Sequence, residues 1–182
     1  MSRAQRAFDV IGASAGLLVF SPAIVVIAVA VLLDDGWPLY FTQERLGHRR
    51  RPFQIIKFRT MRDGQVTRVG RLLRATGLDE VPQFVNILRG EMSAVGPRPL
   101  TAADVARLGW NTAAYDFRWE CRPGLTGLAQ LLGARADADG LEFDRIHAGS
   151  WSAVRDCQLI AWSFAVNAFG KNRIRRWLRA SL

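Results

Sequence analysis

The chain has 182 residues, 49% of them hydrophobic, and its 25 Lys and Arg against 16 Asp and Glu leave a formal charge of +9. That length suits one compact domain with its own core, and the positive excess favours anionic partners: phosphorylated substrates, lipid headgroups or nucleic acid. Two cysteines, Cys121 and Cys157, are too few for a disulfide framework and fit a reducing compartment, and no repeat or low-complexity tract is evident.

Residues 10–33 carry no charge. As straight helix they would reach roughly 36 Å, enough to cross a hydrocarbon core of about 30 Å. Ser21 and Pro22 interrupt the middle, where proline removes a hydrogen bond. Arg3 and Arg6 precede the segment, and Arg45, Arg49, Arg50, Arg51, Lys57 and Arg59 follow it. Positive charge beyond both ends argues that both face the cytoplasm. A helix that enters, breaks at Ser21-Pro22 and returns satisfies both observations better than a spanning one. The run is too long for a cleaved signal peptide. Gly12 to Gly16 lacks the third glycine and the βαβ context of a dinucleotide loop, so these glycines read as sites of close helix packing.

From Trp37 to Arg62 the pattern turns aromatic and β-branched. P-L-Y-F-T-Q and F-Q-I-I-K-F-R-T-M, split by L-G-H-R-R-R-P, predict a small β-hairpin near the membrane surface. Lys57 and Arg59 alternate with Ile56 and Phe58, so they share one strand face. Arg49 to Arg51 suit lipid headgroups.

The chemistry concentrates between Leu73 and Pro99. Asp79 and Glu80 precede a helix-compatible run through Phe84, Val85, Ile87 and Leu88, which Gly90 stops. Asp79 is placed to cap that helix, with Pro82 in its first turn. Helix-start carboxylates are held ionised by the dipole, as a metal ligand or nucleophile requires. An Asp before a helix is also an ordinary cap. The ring of Arg71, Arg74 and Arg98 around two acids distinguishes this one, with Arg98 stiffened between Pro97 and Pro99.

Beyond it, residues 100–120 predict helix broken near Gly109, whose aromatics Trp110, Tyr115, Phe117 and Trp119 suit either a core or an interfacial belt. Arg122-Pro123-Gly124 is a turn. Asp156 has Arg155 as a local partner, and His147 reads as a surface residue. Leu159 to Phe169 is apolar but too short to span. The basic K-N-R-I-R-R-W-L-R-A-S-L after it has Ile174, Trp177 and Leu178 at helical spacing, as an interfacial helix would. A nucleic-acid-binding tail is the weaker alternative, given the apolar run before it.

L-D-E-V-P-Q followed by N-I-L-R-G-E-M-S-A-V-G-P-R-P resembles the core motif of the bacterial sugar transferases, the small monotopic polyprenol-phosphate phosphoglycosyl transferases. K-F-R-T-M at Lys57 to Met61 and R-P-G-L-T-G-L-A-Q at Arg122 to Gln130 are similar to that family's flanking motifs, in the same order. The resemblance runs from about Phe8 to about Asp156. It departs at a shortened stretch between Met61 and Leu72, at Leu128, at Leu132 to Arg135, and at Phe143 to Ala148, where only Asp144 matches.

The resemblance implies an α+β, mainly helical, monotopic membrane protein. It would have a kinked re-entrant helix over 1–36, a catalytic domain on the cytoplasmic face over 37–158 including the hairpin, and an interfacial amphipathic segment over 159–182. It implies transfer of a phosphosugar from a nucleoside diphosphate sugar to polyprenol (undecaprenyl) phosphate at the bacterial inner membrane, initiating glycoconjugate or exopolysaccharide assembly. Asp79 would be the nucleophile and a ligand of Mg²⁺, and Glu80 its partner. Lys57, Arg59, Arg74, Arg98, Gln130, Arg135 and Asp156 would contact the nucleotide sugar, and Ser21-Pro22 would make the membrane break. Nucleic acid would not be a partner. The competing reading is a non-catalytic membrane-surface protein that binds anionic lipid or another polyanion through its cations.

Overall fold

The computed structural model describes residues 2–133, 138–149 and 151–169; Arg135 and the basic segment 170–182, both singled out above, lie outside them. The first helix, α1 (Arg3–Asp35), begins at Ser2, whose hydroxyl accepts from the Gln5 N–H at 3.1 Å, and ends at Gly36, which takes a positive φ of 67°. It is long and apolar enough to cross a membrane. The interruption expected at Ser21-Pro22 does not end the helix, which continues through Pro22. Proline at 22 deprives the Leu18 carbonyl of its usual donor, and the Ser21 hydroxyl donates to that same oxygen at 2.7 Å.

Both halves of α1 pack on one body. Ala13 joins Phe53, Ile55, Ile87 and Met92, while Ile27 and Val31 join Leu39, Phe58 and Leu73. Both ends are also tied by charge. Arg6 donates to the Ile87 and Leu88 carbonyls at 2.6 Å each, and Asp35 meets Arg59 at 2.7 Å and Arg62 at 3.3 Å. The opposite face leaves Ile11, Leu18, Val25, Val26, Val29 and Leu33 each more than half exposed.

The predicted hairpin forms: β1 (Tyr40–Leu46) pairs antiparallel with β2 (Pro52–Phe58), Tyr40 opposite Phe58 and Leu46 opposite Pro52. At its tip Arg50 faces protein, contrary to the lipid role expected of it. It pairs with Asp116 at 2.7 Å, donates to the Asn111 carbonyl at 3.1 Å and lies over the Trp119 ring. The shortened stretch that follows is a second, minimal hairpin of β3 (Met61–Arg62) and β4 (Gln65–Val66). It turns at Asp63-Gly64, both with positive φ, the pairing that a two-residue turn favours.

Then come α2 (Arg68–Thr76), α3 (Gln83–Arg89) and β5 (Ser93–Val95). α4 (Ala102–Arg107) and the short α5 (Asp116–Trp119) follow, so the helix expected over 100–120 is in pieces, around Gly109 at φ 69°. Trp110 and Trp119 are buried with Leu100 and Val105, and Tyr115 stacks on Trp110, so these aromatics build a core and not a belt. β6 (Gly124–Thr126) returns parallel to β5, with Ser93 opposite Gly124. A Cβ on Gly96 or Gly124 would overlap the other residue's backbone, so both motifs need glycine at this crossing. α6 (Leu128–Leu132), α7 (Ala138–Gly149) and α8 (Ala153–Phe169) complete the described chain, which is mainly helical with small sheets.

Candidate active site

Asp79 sits in a single 3-10 turn, Leu78–Glu80, wedged between α2 and α3. It does not cap α3 as expected, because Pro82 occupies the cap position. Gly77, at φ 75°, ends α2 in the left-handed conformation and reverses the chain so that the two carboxylates follow at once. The result is an acid pair on a turn braced by a helix on either side.

Asp79 is buried and Glu80 partly so. Burial pushes the Asp79 carboxyl above its ordinary value, and the Glu80 charge adds to this, while Lys57 and Arg74 pull it back. Lys57 Nζ lies 2.5 Å from Glu80 Oε1. That short, charge-assisted contact ties the end of β2 to the turn.

The register that allows this contact is set elsewhere, by Asn86. Its side chain is fully buried on α3 and acts as a clip on the β2 backbone: its Oδ1 accepts from the Ile56 N–H at 3.1 Å, and its Nδ2 donates to the Gln54 carbonyl at 2.7 Å. Nδ2 also donates to Glu91 at 2.6 Å. Sequence reasoning passed over Asn86. Its one signal was a polar residue inside the apolar run F-V-N-I-L.

Arg45 was noted only as a flanking charge, yet it joins this constellation. It lies 3.8 Å from Asp104 and within electrostatic range of Arg98 and Glu80. It donates to Gln43 Oε1 at 2.5 Å and to the Pro99 carbonyl at 3.2 Å. Arg74 and Arg98 are exposed, as groups that meet a substrate must be.

Other predicted residues have partners of their own. Arg59 closes the end of α1, donating to the carbonyls of Asp35 at 2.7 Å, Gly36 at 2.8 Å and Trp37 at 3.0 Å. Gln130 packs back towards the turn before α6, its Nε2 3.5 Å from the Gly124 carbonyl. Asp156 is fully buried near the start of α8 and accepts from Trp151 Nε1 at 3.0 Å. Gly77 lies against Asn167, near the other end of that helix. Eleven residues of helix separate Asn167 from Asp156, about 16 Å of rise. His147 is half-buried and not a surface residue; burial, with Arg155 nearby, lowers its pKa to about 4.

The structure therefore defines an acid pair with one carboxylate buried, the other clamped by a lysine, and arginines on open flanks, beside a long apolar helix. Comparison with known proteins agrees in class. A model described as "Bacterial sugar transferase" matches residues 1–170. The chain is 39% identical over 177 residues to the UDP-glucose:undecaprenyl-phosphate glucose-1-phosphate transferase of Caulobacter vibrioides, a match that covers 86% of this chain and 66% of that protein. To the Escherichia coli protein of the same name it is 37% identical, over 86% of this chain and 38% of that one. It is 36% identical to the exopolysaccharide production protein ExoY of Rhizobium meliloti, over 86% of this chain and 82% of that protein. The chain belongs to the bacterial sugar transferase family.

Proposed function

We propose that this protein moves a phosphosugar from a UDP-sugar to undecaprenyl phosphate, at the headgroup level of the inner membrane's cytoplasmic face. Two of the named relatives are UDP-glucose:undecaprenyl-phosphate glucose-1-phosphate transferases, and the third is an exopolysaccharide production protein. The observation that carries the reading here is the buried Asp79 beside a Lys57-clamped Glu80, with Arg74 and Arg98 open to solvent.

In the mechanism we infer, an Asp79 carboxylate oxygen attacks the phosphorus that bears the sugar. The bond from that phosphorus to the bridging oxygen breaks, and uridine monophosphate leaves with the electron pair. The covalent aspartyl phosphosugar is then attacked by a phosphate oxygen of the lipid, which restores the carboxylate. Burial suits the nucleophile, because a carboxylate stripped of water keeps its reactivity for the substrate. Lys57 keeps Glu80 in place, and Glu80 holds the field around Asp79. Arg74 and Arg98 meet phosphate oxygens through charge-assisted hydrogen bonds.

Among the described residues no group of three His, Cys, Asp or Glu is placed to hold a metal ion. Mg²⁺ ordinarily takes one or two carboxylates together with substrate phosphates, so the donor set fits with Asp79 as the protein ligand. Bound there, it would neutralise charge on the diphosphate.

The membrane part of the proposal is a monotopic, re-entrant α1. Its support is that both ends of the helix are tied to one body while the face between them is apolar and exposed. A straight span would carry those ends to opposite sides of the bilayer.

The test is release of nucleoside monophosphate from a panel of nucleotide sugars by detergent-solubilised protein with undecaprenyl phosphate and Mg²⁺. Lipid-dependent release from one donor, lost in Asp79→Asn, is the expected result. No release from any donor by folded protein that binds anionic lipid tightly would favour the non-catalytic reading. Activity surviving in Asp79→Asn would refute the covalent step and leave the transferase standing.

A further inference from the structure

The segment 97–100 is held almost entirely by its carbonyl groups. Pro97 and Pro99 have no N–H to donate, so ordinary pairing on that side is closed to them. Four consecutive carbonyls each accept from a different donor: Pro97 from the Gly124 N–H at 2.9 Å, Arg98 from Arg118 Nη2, Pro99 from Arg45 Nη1 at 3.2 Å and Leu100 from the Leu46 N–H at 2.8 Å. The side chain of Arg98 stands out from this anchored backbone into solvent.

The donor to Arg98 itself is unusual. Arg118 is only 4% exposed, a rare state for an arginine. Its Nε donates to Asp144 at 2.7 Å, and its guanidinium carbon lies 5.5 Å and 5.0 Å from the centroids of the Trp110 and Trp119 rings. Asp144 is 6% exposed and comes from α7. The planar guanidinium thus does two things at once: one edge is fixed by a carboxylate and two indoles, and another grips the Arg98 carbonyl. A lysine ammonium has the charge but not the rigid fork.

We propose that Arg118, anchored by Asp144, is a positioning residue that sets the direction in which Arg98 is presented to substrate phosphate. This rests on the reading above that Arg98 meets the diphosphate. Arg118 touches no substrate; it acts through the peptide unit of Arg98.

The test is a double-mutant cycle on UDP binding, measured by calorimetry with the full chain in lipid nanodiscs. UDP is chosen because it presents the diphosphate without depending on the sugar. Arg98→Ala is expected to weaken binding about tenfold, the scale of one charge-assisted contact. Arg118→Lys, which keeps a cation beside Asp144, is expected to weaken it roughly three- to tenfold in the wild-type background, but less than twofold in the Arg98→Ala background, because interacting residues are non-additive. Equal losses in the two backgrounds, or no loss in either, would overturn the proposal and leave the role of Arg98 intact. If UDP fails to bind the wild-type chain, or binds it and Arg98→Ala alike, the phosphate role of Arg98 falls and this proposal with it. Should Arg118→Lys not fold, as judged by thermal unfolding, Asp144→Asn takes its place in the same cycle with the same expected pattern.

Discussion

Two pairs of neighbouring acids, Asp79 with Glu80 and Asp9 with Asp156, differ in their surroundings. Asp79 and Glu80 share a turn with Lys57 at 2.5 Å from one carboxylate and Arg74 acting on the other. Asp9 and Asp156, brought together from α1 and α8, are both fully buried. Asp9 accepts from the Ser93 hydroxyl and the Ala94 N–H at 2.9 Å each, and Asp156 from Trp151. Burial, with the charge of Asp9 adding to it, pushes Asp156 up to about 6 against the Trp151 bond and Arg155. Both pairs are desolvated. A lysine 2.5 Å from one carboxylate distinguishes the first, and with Arg74 it opposes the burial that raises Asp79. In the second, neutral donors prevail: Asp9 fastens α1 to β5, and Asp156 fastens the start of α8 to Trp151. Proximity of carboxylates is therefore no sign of chemistry by itself.

The sharpest way to break this comparison is Asp79→Asn, expected to lower nucleoside monophosphate release at least ~10³-fold while the thermal midpoint stays level or rises, since a buried carboxyl is replaced by an amide. A variant that keeps a tenth of the rate would put the first pair in the same structural class as the second.

Asn86→Ala attacks the clip that holds β2, and Lys57 with it, over the turn. The partly buried backbone groups of Ile56 and Gln54 lose their partner, at about 1–3 kcal/mol each, and the chevron or melting measurement should register a loss of roughly 2–5 kcal/mol. An unchanged midpoint would mean that the strand finds other partners.

Asp156 and His147 oppose one another in the pH dependence of stability. Asp156 titrates near 6 when folded and near 3.8 when not, so between those values the native chain holds a proton that the unfolded chain has lost. Its contribution falls as pH rises through that window. His147 titrates near 4 when folded and near 6.5 when not, so its contribution rises over much the same range. Asp156→Asn should expose the rising slope and His147→Gln the falling one, each on the order of 3 kcal/mol between pH 4 and 6.5, read from denaturant midpoints. A profile with the same slope in all three proteins would contradict both assignments.

The smallest effects concern the tuning of Asp79. Glu80→Gln removes a charge that raises its pKa and should move the acid limb of the kcat/KM profile down; Lys57→Met removes one that lowers it and should move the limb up. Limbs that shift together would mean that Asp79 does not set them.

The local elements of this protein were legible from the chain alone because each depends on neighbours in sequence. Alternation sufficed for the hairpin of β1 and β2 and an apolar run for a long first helix, but not for its continuity through Pro22 or for the separate turn that carries Asp79. Gly16 as a close-packing position was readable too: a Cβ there would strike the ring of Phe84, whereas Gly12 meets nothing. What tertiary structure decided were the pairings of charge across distance. Arg59, read as a phosphate ligand, closes the end of α1; Arg50, read as a lipid contact, grips Asp116. Asp156 comes within electrostatic range of Asp9, and Asn86 reaches back thirty-two residues to Gln54. An arginine or a buried amide takes whichever partner folding brings within about 3 Å, and periodicity carries no information about that partner. The kind of chemistry proposed was therefore written in residue types and spacing, while the partner of each charge was decided by what the fold brought within reach.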